Sequence, residues 1–176
     1  MRALNRNLAM FAGLTILAAA PMFASKGPVN PDLTEKVRHE LAMLPRLNVF
    51  DDLSFRVDGS TVTLFGEVTQ PILKSDAGNA VKHIEGVATI NNQIDVLPPS
   101  PMDWQIRRQE YRSIFGYAPL QRYQMGAIPA IHIIVKNGHV TLTGEVASSS
   151  DKQLAYMRAN SVPGVFSVTN NLRVEK

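Results

Sequence analysis

Apolar positions recur along the chain in two alternating rhythms. Leu33, Val37, Leu41 and Leu44 fall at helical spacing after a capping box of Asp32 and Glu35, and Pro45 ends the stripe. "LSFRV" (53–57) then alternates Leu53, Phe55 and Val57 against Ser54 and Arg56, "DGS" turns the chain, and "TVTLFGEV" returns. That pattern predicts a β-hairpin. "PILKSDAGNAVKHI" (71–84) goes back to helical spacing from Pro71, with Gly86 as its stop, and "ATINNQIDVL" closes as a third strand. The predicted order is α-β-β-α-β. The hairpin is antiparallel and the strand–helix–strand crossover makes the second and third strands parallel.

The second half writes the same unit again. "VTLFGEV" (62–68) reappears as "VTLTGEV" (140–146), and residues 57–96 lie over 135–174 without a gap. Val57, Val62, Thr63, Leu64, Gly66, Glu67, Val68, Lys74, Ala77, Gly86, Val87, Asn92 and Val96 are all identical to their partners 78 residues on. An ungapped register through strand, turn and helix is an internal duplication, and two copies are too few for a solenoid. The fold class is therefore α/β of the α+β type. It comprises two tandem α-β-β-α-β units, each a three-stranded mixed sheet with two helices on one face. The expected boundaries are 25–97 and 103–176, joined by a Pro-rich linker at 98–102 that suits independent folding of the halves. Before its hairpin the second copy departs from the first. Asp103 is placed to cap a helix carrying Trp104, Ile106, Tyr111, Ile114 and Phe115, and an irregular stretch (117–129) leads to "AIHIIV" and an "NG" turn.

"GSTVTLFGEV" with "IEGVATINNQIDV", and "GHVTLTGEV" with "VPGVFSVTNNLRV", resemble the BON domain of osmotically inducible and nodulation-associated bacterial proteins. The resemblance spans most of residues 25–176 as two tandem copies. It implies a module of the order just derived, with Gly66, Gly86, Gly144 and Gly164 as structural glycines and no conserved active site. It also implies a periplasmic setting and binding to phospholipid surfaces or envelope polymers. In dual-domain members the resemblance implies contact with anionic lipid through the first helix of the second copy.

The beginning of the chain changes the compartment. Arg2 and Arg6 precede an apolar run at 8–20, and small residues lead to Ala24. That is the pattern of a secretory signal peptide (1–24), too short for a spanning helix. Met22 is bulky for its place, which leaves an uncleaved anchor as the alternative. The chain has no cysteine, so each unit must be held by burial alone, and no lipidated cysteine is available. The expected location is periplasmic or secreted. Charge is divided unevenly. Residues 25–97 hold 7 Lys/Arg against 10 Asp/Glu, and 98–176 hold 9 against 5. Export and a near-neutral mature total argue against a nucleic-acid partner.

Chemistry is sparse. His39, His83, His132 and His139 lack metal-ligand spacing and read as exposed polar residues, so no metal or other cofactor is expected. Glu67 and Glu145 recur at equivalent positions of separate units, where strand-end solvation explains them better than paired acid–base work. Asn92 and Asn170 also recur, and an amide between helix exit and strand is expected to bond nearby backbone. No nucleophile elbow or phosphate-cradling loop is present, and the protein is read as non-enzymatic. The surface candidate is 104–123. Trp104, Arg107, Arg108, Tyr111, Arg112, Tyr117, Arg122 and Tyr123 pair arginines with aromatic rings, a combination suited to phosphate headgroups at an anionic phospholipid surface. The competing reading makes the aromatics core and the arginines an ordinary solvated face. In the runner-up function the protein is an interaction module for envelope proteins or peptidoglycan, using a sheet face or strand edge.

Overall fold

The computed structural model describes residues 31–126 and 129–175; the expected signal peptide lies outside the described residues. The first unit runs α1 (Pro31–Ala42), β1 (Asp52–Asp58), β2 (Thr61–Val68), α2 (Pro71–Lys82) and β3 (Thr89–Val96). Its sheet has the order β1-β2-β3, with β1 antiparallel and β3 parallel to β2. Leu33, Val37 and Leu41 of α1 and Leu73, Ala77 and Val81 of α2 pack with Val62, Leu64 and Ile94 as one core. Both helices thus cover a single face of the sheet.

The second unit repeats the plan: α3 (Pro101–Phe115), a 3₁₀ segment (Ala118–Gln124), β4 (Ile131–Lys136), β5 (His139–Val146), α4 (Ser149–Asn160), β6 (Ser167–Asn170) and β7 (Arg173–Val174). Three details differ from the sequence reading. The helix cap is Ser100, whose hydroxyl accepts from the Asp103 amide, so α3 begins inside the expected linker. The stretch after it contains a 3₁₀ segment rather than irregular chain throughout. The last strand is broken into β6 and β7, both parallel to β5, so the second sheet has four strands.

The repeated glycines and asparagines are stitches. Gly66 and Gly144 have φ of +124° and +113°, and a Cβ there would collide with the carbonyl of Asp52 on β1 or of Ala130 just before β4. Only glycine fits such a site. Gly86 and Gly164 also have positive φ, each after its unit's second helix. Asn92 donates to the Lys74 carbonyl and accepts from the Ile94 amide, and Asn170 does the same with Lys152 and Leu172. Each amide therefore ties a strand to the helix before it.

The units are not separated by the linker. Val49, from the loop between α1 and β1, is buried in the second unit's core. Its carbonyl accepts from the Ile133 amide at 2.8 Å, on the edge of β4 that faces away from β5. Phe50 packs edge-on against Trp104 and Tyr111, with centroids 5.9 and 6.3 Å away. His132 bonds the Asp51 carbonyl, and Lys136 reaches Glu67 at 2.9 Å.

Candidate functional site

Helix α3 presents two chemically opposite faces. Its inward face holds Asp103, Ile106, Arg107, Glu110 and Ile114, all buried. The presence of three charged residues in that set is unusual and each has a different fate. Asp103 accepts from the amides of Asn137 and Gly138, clamping the helix start to the β4–β5 turn. Arg107 donates to the Val135 carbonyl at 2.6 Å and lies over the Trp104 ring. Burial pushes its guanidinium pKa down, against the pull of Asp103 and Asp51. Glu110 is fully buried with neither carboxylate oxygen hydrogen-bonded, and burial raises its pKa to about 8.

The outward face carries Trp104, Arg108 and Arg112 one turn apart, with Tyr111 half-buried beside them and Tyr117 beyond the helix end. Trp104 is 48% exposed although Phe50 and Arg107 pack against it, so one surface of the indole is held and another is open. Arg108 and Arg112 are exposed and form no ion pair among the described residues.

Three of the eight residues singled out in the sequence are committed elsewhere. Arg107 and Tyr123 are buried and Arg122 is tied to a carboxylate. Tyr123 donates to Asp151, and its oxygen accepts from the Ala147 amide at 2.9 Å. Arg122 is held by Asp151 at 2.5 Å and lies over the Tyr123 ring. Burial works against the Asp151 charge, but hydrogen bonds from Ser148, Tyr123 and Arg122 outweigh it and lower its pKa. In the first unit the amide corresponding to that of Ala147 is Thr69, and it donates to the buried carboxylate of Asp51 instead. One backbone requirement is thus met by a carboxylate in one copy and by a tyrosine in the other. Sequence spacing could not reveal the exchange, because the two groups occupy different positions of the repeat.

The remaining candidates are dispersed. His83 bonds the Asn79 carbonyl, and His139 meets Ser167 and the ring of Phe166. Glu67 and Glu145 pair with different cations, Lys136 and Arg173. Among the described residues no helix is long and apolar enough to cross a membrane.

Residues 30–98 and 120–176 match the family model described as BON domain. The chain belongs to the BON domain family. It is similar to osmotically-inducible protein Y of Escherichia coli (strain K12), at 27% identity over 70% of this chain and 62% of that one. This chain therefore spans less than two thirds of that relative's length. Among solved structures, CdsD, a structural protein of the type III secretion system of Chlamydia trachomatis, aligns at 13% identity and a TM-score of 0.30. The alignment covers 82% of this chain and 94% of that one. A second structure, its C-terminal domain, aligns at 14% identity and a TM-score of 0.29, over 85% of this chain and all of that one.

Proposed function

We propose that this BON protein is a non-enzymatic component of the cell envelope, serving under osmotic stress, that docks peripherally on anionic phospholipid through the outer face of α3. The observation that carries the reading is the Trp104–Arg108–Arg112 stripe. It joins two guanidinium groups that have no carboxylate partner among the described residues to a half-open indole buttressed from behind. Arginine matches phosphate geometry, and tryptophan settles at headgroup level. With Arg107 and Arg122 already committed, the docking charge is two arginines rather than four. At about 1 kcal/mol per charge near an anionic surface, that gives weak, reversible attachment. The similarity to a relative named for osmotic induction supports the stress setting.

The test is co-sedimentation of the full chain with vesicles of phosphatidylcholine, with and without phosphatidylglycerol. Binding should require phosphatidylglycerol and weaken as salt rises. Replacing Arg108 and Arg112 together with Gln should cost about 2 kcal/mol of it at low salt. A folded double variant that sediments like its parent would remove the reading.

A further inference from the structure

The duplication places one groove in the molecule twice, once filled and once, among the described residues, open. In a hairpin closed by two residues, the flanking pair exchanges both backbone bonds, and alternate residues turn theirs outward. Both hairpins are of this kind. Asp58 pairs with Thr61 around Gly59–Ser60, and Lys136 pairs with His139 around Asn137–Gly138. The outward groups of β4 therefore belong to Ile131, Ile133 and Val135, and those of β1 belong to Leu53, Phe55 and Val57. On β4 two of these groups are occupied. The Ile133 amide donates to the Val49 carbonyl, the Val135 carbonyl accepts from Arg107, and the Val49 side chain sits in the second unit's core. The counterparts on β1, the Phe55 amide and the Val57 carbonyl, have no partner among the described residues.

The space beside β1 is shaped for the missing segment. At one end a hole of about 160 Å³ opens between α1 and the strand edge, walled by Leu41, Leu47, Leu53 and Phe55. Continuous with it through Arg38, Leu53 and Phe55, a groove of about 620 Å³ follows the strand to Asp58. Arg38 of α1, Arg56 of β1 and Arg173 of β7 line it, against the single carboxylate of Asp58. Each arginine already meets one carboxylate, respectively Glu35, Asp58 and Glu145, but a guanidinium has five donors and one contact leaves others available. The groove is complete only when the second unit supplies Arg173.

We propose that the groove between α1 and the outer edge of β1 binds an extended acidic polypeptide segment, added as a further strand, with one aliphatic side chain in the hole. Backbone bonds to Phe55 and Val57 supply affinity, and the hole and the arginines supply selectivity. The occupant resembles in chemistry the segment that fills the other copy, Leu47–Asn48–Val49–Phe50–Asp51–Asp52, in which an aliphatic residue is followed closely by two carboxylates.

The probe is a capped peptide of that sequence, LNVFDD, titrated into the full chain and followed by amide chemical shifts and by fluorescence anisotropy of a labelled copy. Saturable binding that shifts the Phe55 and Val57 amides and weakens with salt supports the site. Arg38→Glu should lower affinity at least tenfold. Phe55→Pro, which removes an N–H on the side away from β2, should do the same. If the proline variant fails to fold, Arg38→Glu on the exposed helix face carries the test alone. Three results would overturn the proposal. One is no saturation at millimolar peptide or affinity unchanged in the Arg38→Glu variant. Another is shifts confined to Ile133, which would mean the peptide only displaces the internal segment. The third is a dimer in sedimentation equilibrium that Phe55→Pro dissolves, which would make a second copy the occupant.

Discussion

Glu110 is fully buried without a partner, and its consequence can be measured. A carboxyl whose folded pKa is raised binds more protons folded than unfolded. Its stabilising contribution is complete below the ordinary value of 4.5 and is lost as pH climbs through about 8. The full chain should therefore have a lower unfolding free energy at pH 9 than at pH 5, by more than about 1 kcal/mol. Glu110→Gln should flatten that dependence, and urea melts at both pH values read it directly. Gly144 makes a second residue-scale case. Gly144→Ala forces a side chain onto a positive φ and against the Ala130 carbonyl. It should cost about 1–3 kcal/mol in the same melts. A stability equal to the parent's would show that the strand can shift to receive the methyl group.

At the scale of elements, the loop between α1 and β1 ties the halves together. Val49→Ala removes apolar volume from the second unit's core, although the residue belongs to the first. It should destabilise the second unit by about 1–3 kcal/mol. Trp104 is the only tryptophan and touches Phe50, so its fluorescence should report the loosening. A fragment of residues 99–176 lacks that loop entirely. It should melt below the same unit in the full chain, which revises the expectation drawn from the prolines alone. Helix α3 itself was legible as an aromatic and basic segment. The inward placement of Asp103, Arg107 and Glu110 was not, because helical periodicity of apolar residues cannot mark charges buried by strands and turns far along the chain.

For the whole molecule, the charge divide between the halves takes on a geometric meaning. The acidic first half meets the basic second half at Lys136 with Glu67 and Asp95, and Arg122 is spent on Asp151. The exposed arginines of α3 without an ion pair among the described residues are Arg108 and Arg112. Arg122→Gln should accordingly leave vesicle binding unchanged while lowering stability, whereas changing Arg108 and Arg112 should do the reverse. Sedimentation with phosphatidylglycerol vesicles and a thermal melt, run on the same samples, separate the two effects. Equal losses of binding from Arg122→Gln and from the Arg108 and Arg112 double variant would extend the docking face beyond α3.

Local pattern determined a good deal by itself. The alternation in "LSFRV", the helical stripe Leu33–Val37–Leu41, the turn residues Gly59 and Asn137–Gly138, and the repeated glycines specify each α-β-β-α-β unit. They do so because backbone hydrogen bonding and side-chain periodicity act over a few residues. The duplication also predicted that Asn92 and Asn170 would share a role, and each bonds backbone near its own strand. Tertiary structure decided which surface was left over. Arg107 and Arg108 are adjacent letters, yet one is bonded inside the second unit and the other faces solvent. The choice depends on where β4 and the loop carrying Val49 lie, a contact between residues far apart in sequence. That the edge of β1 is open among the described residues was hidden for the same reason. Two hairpins of matching pattern differ in whether a distant segment has reached their edge, and packing between units settles that.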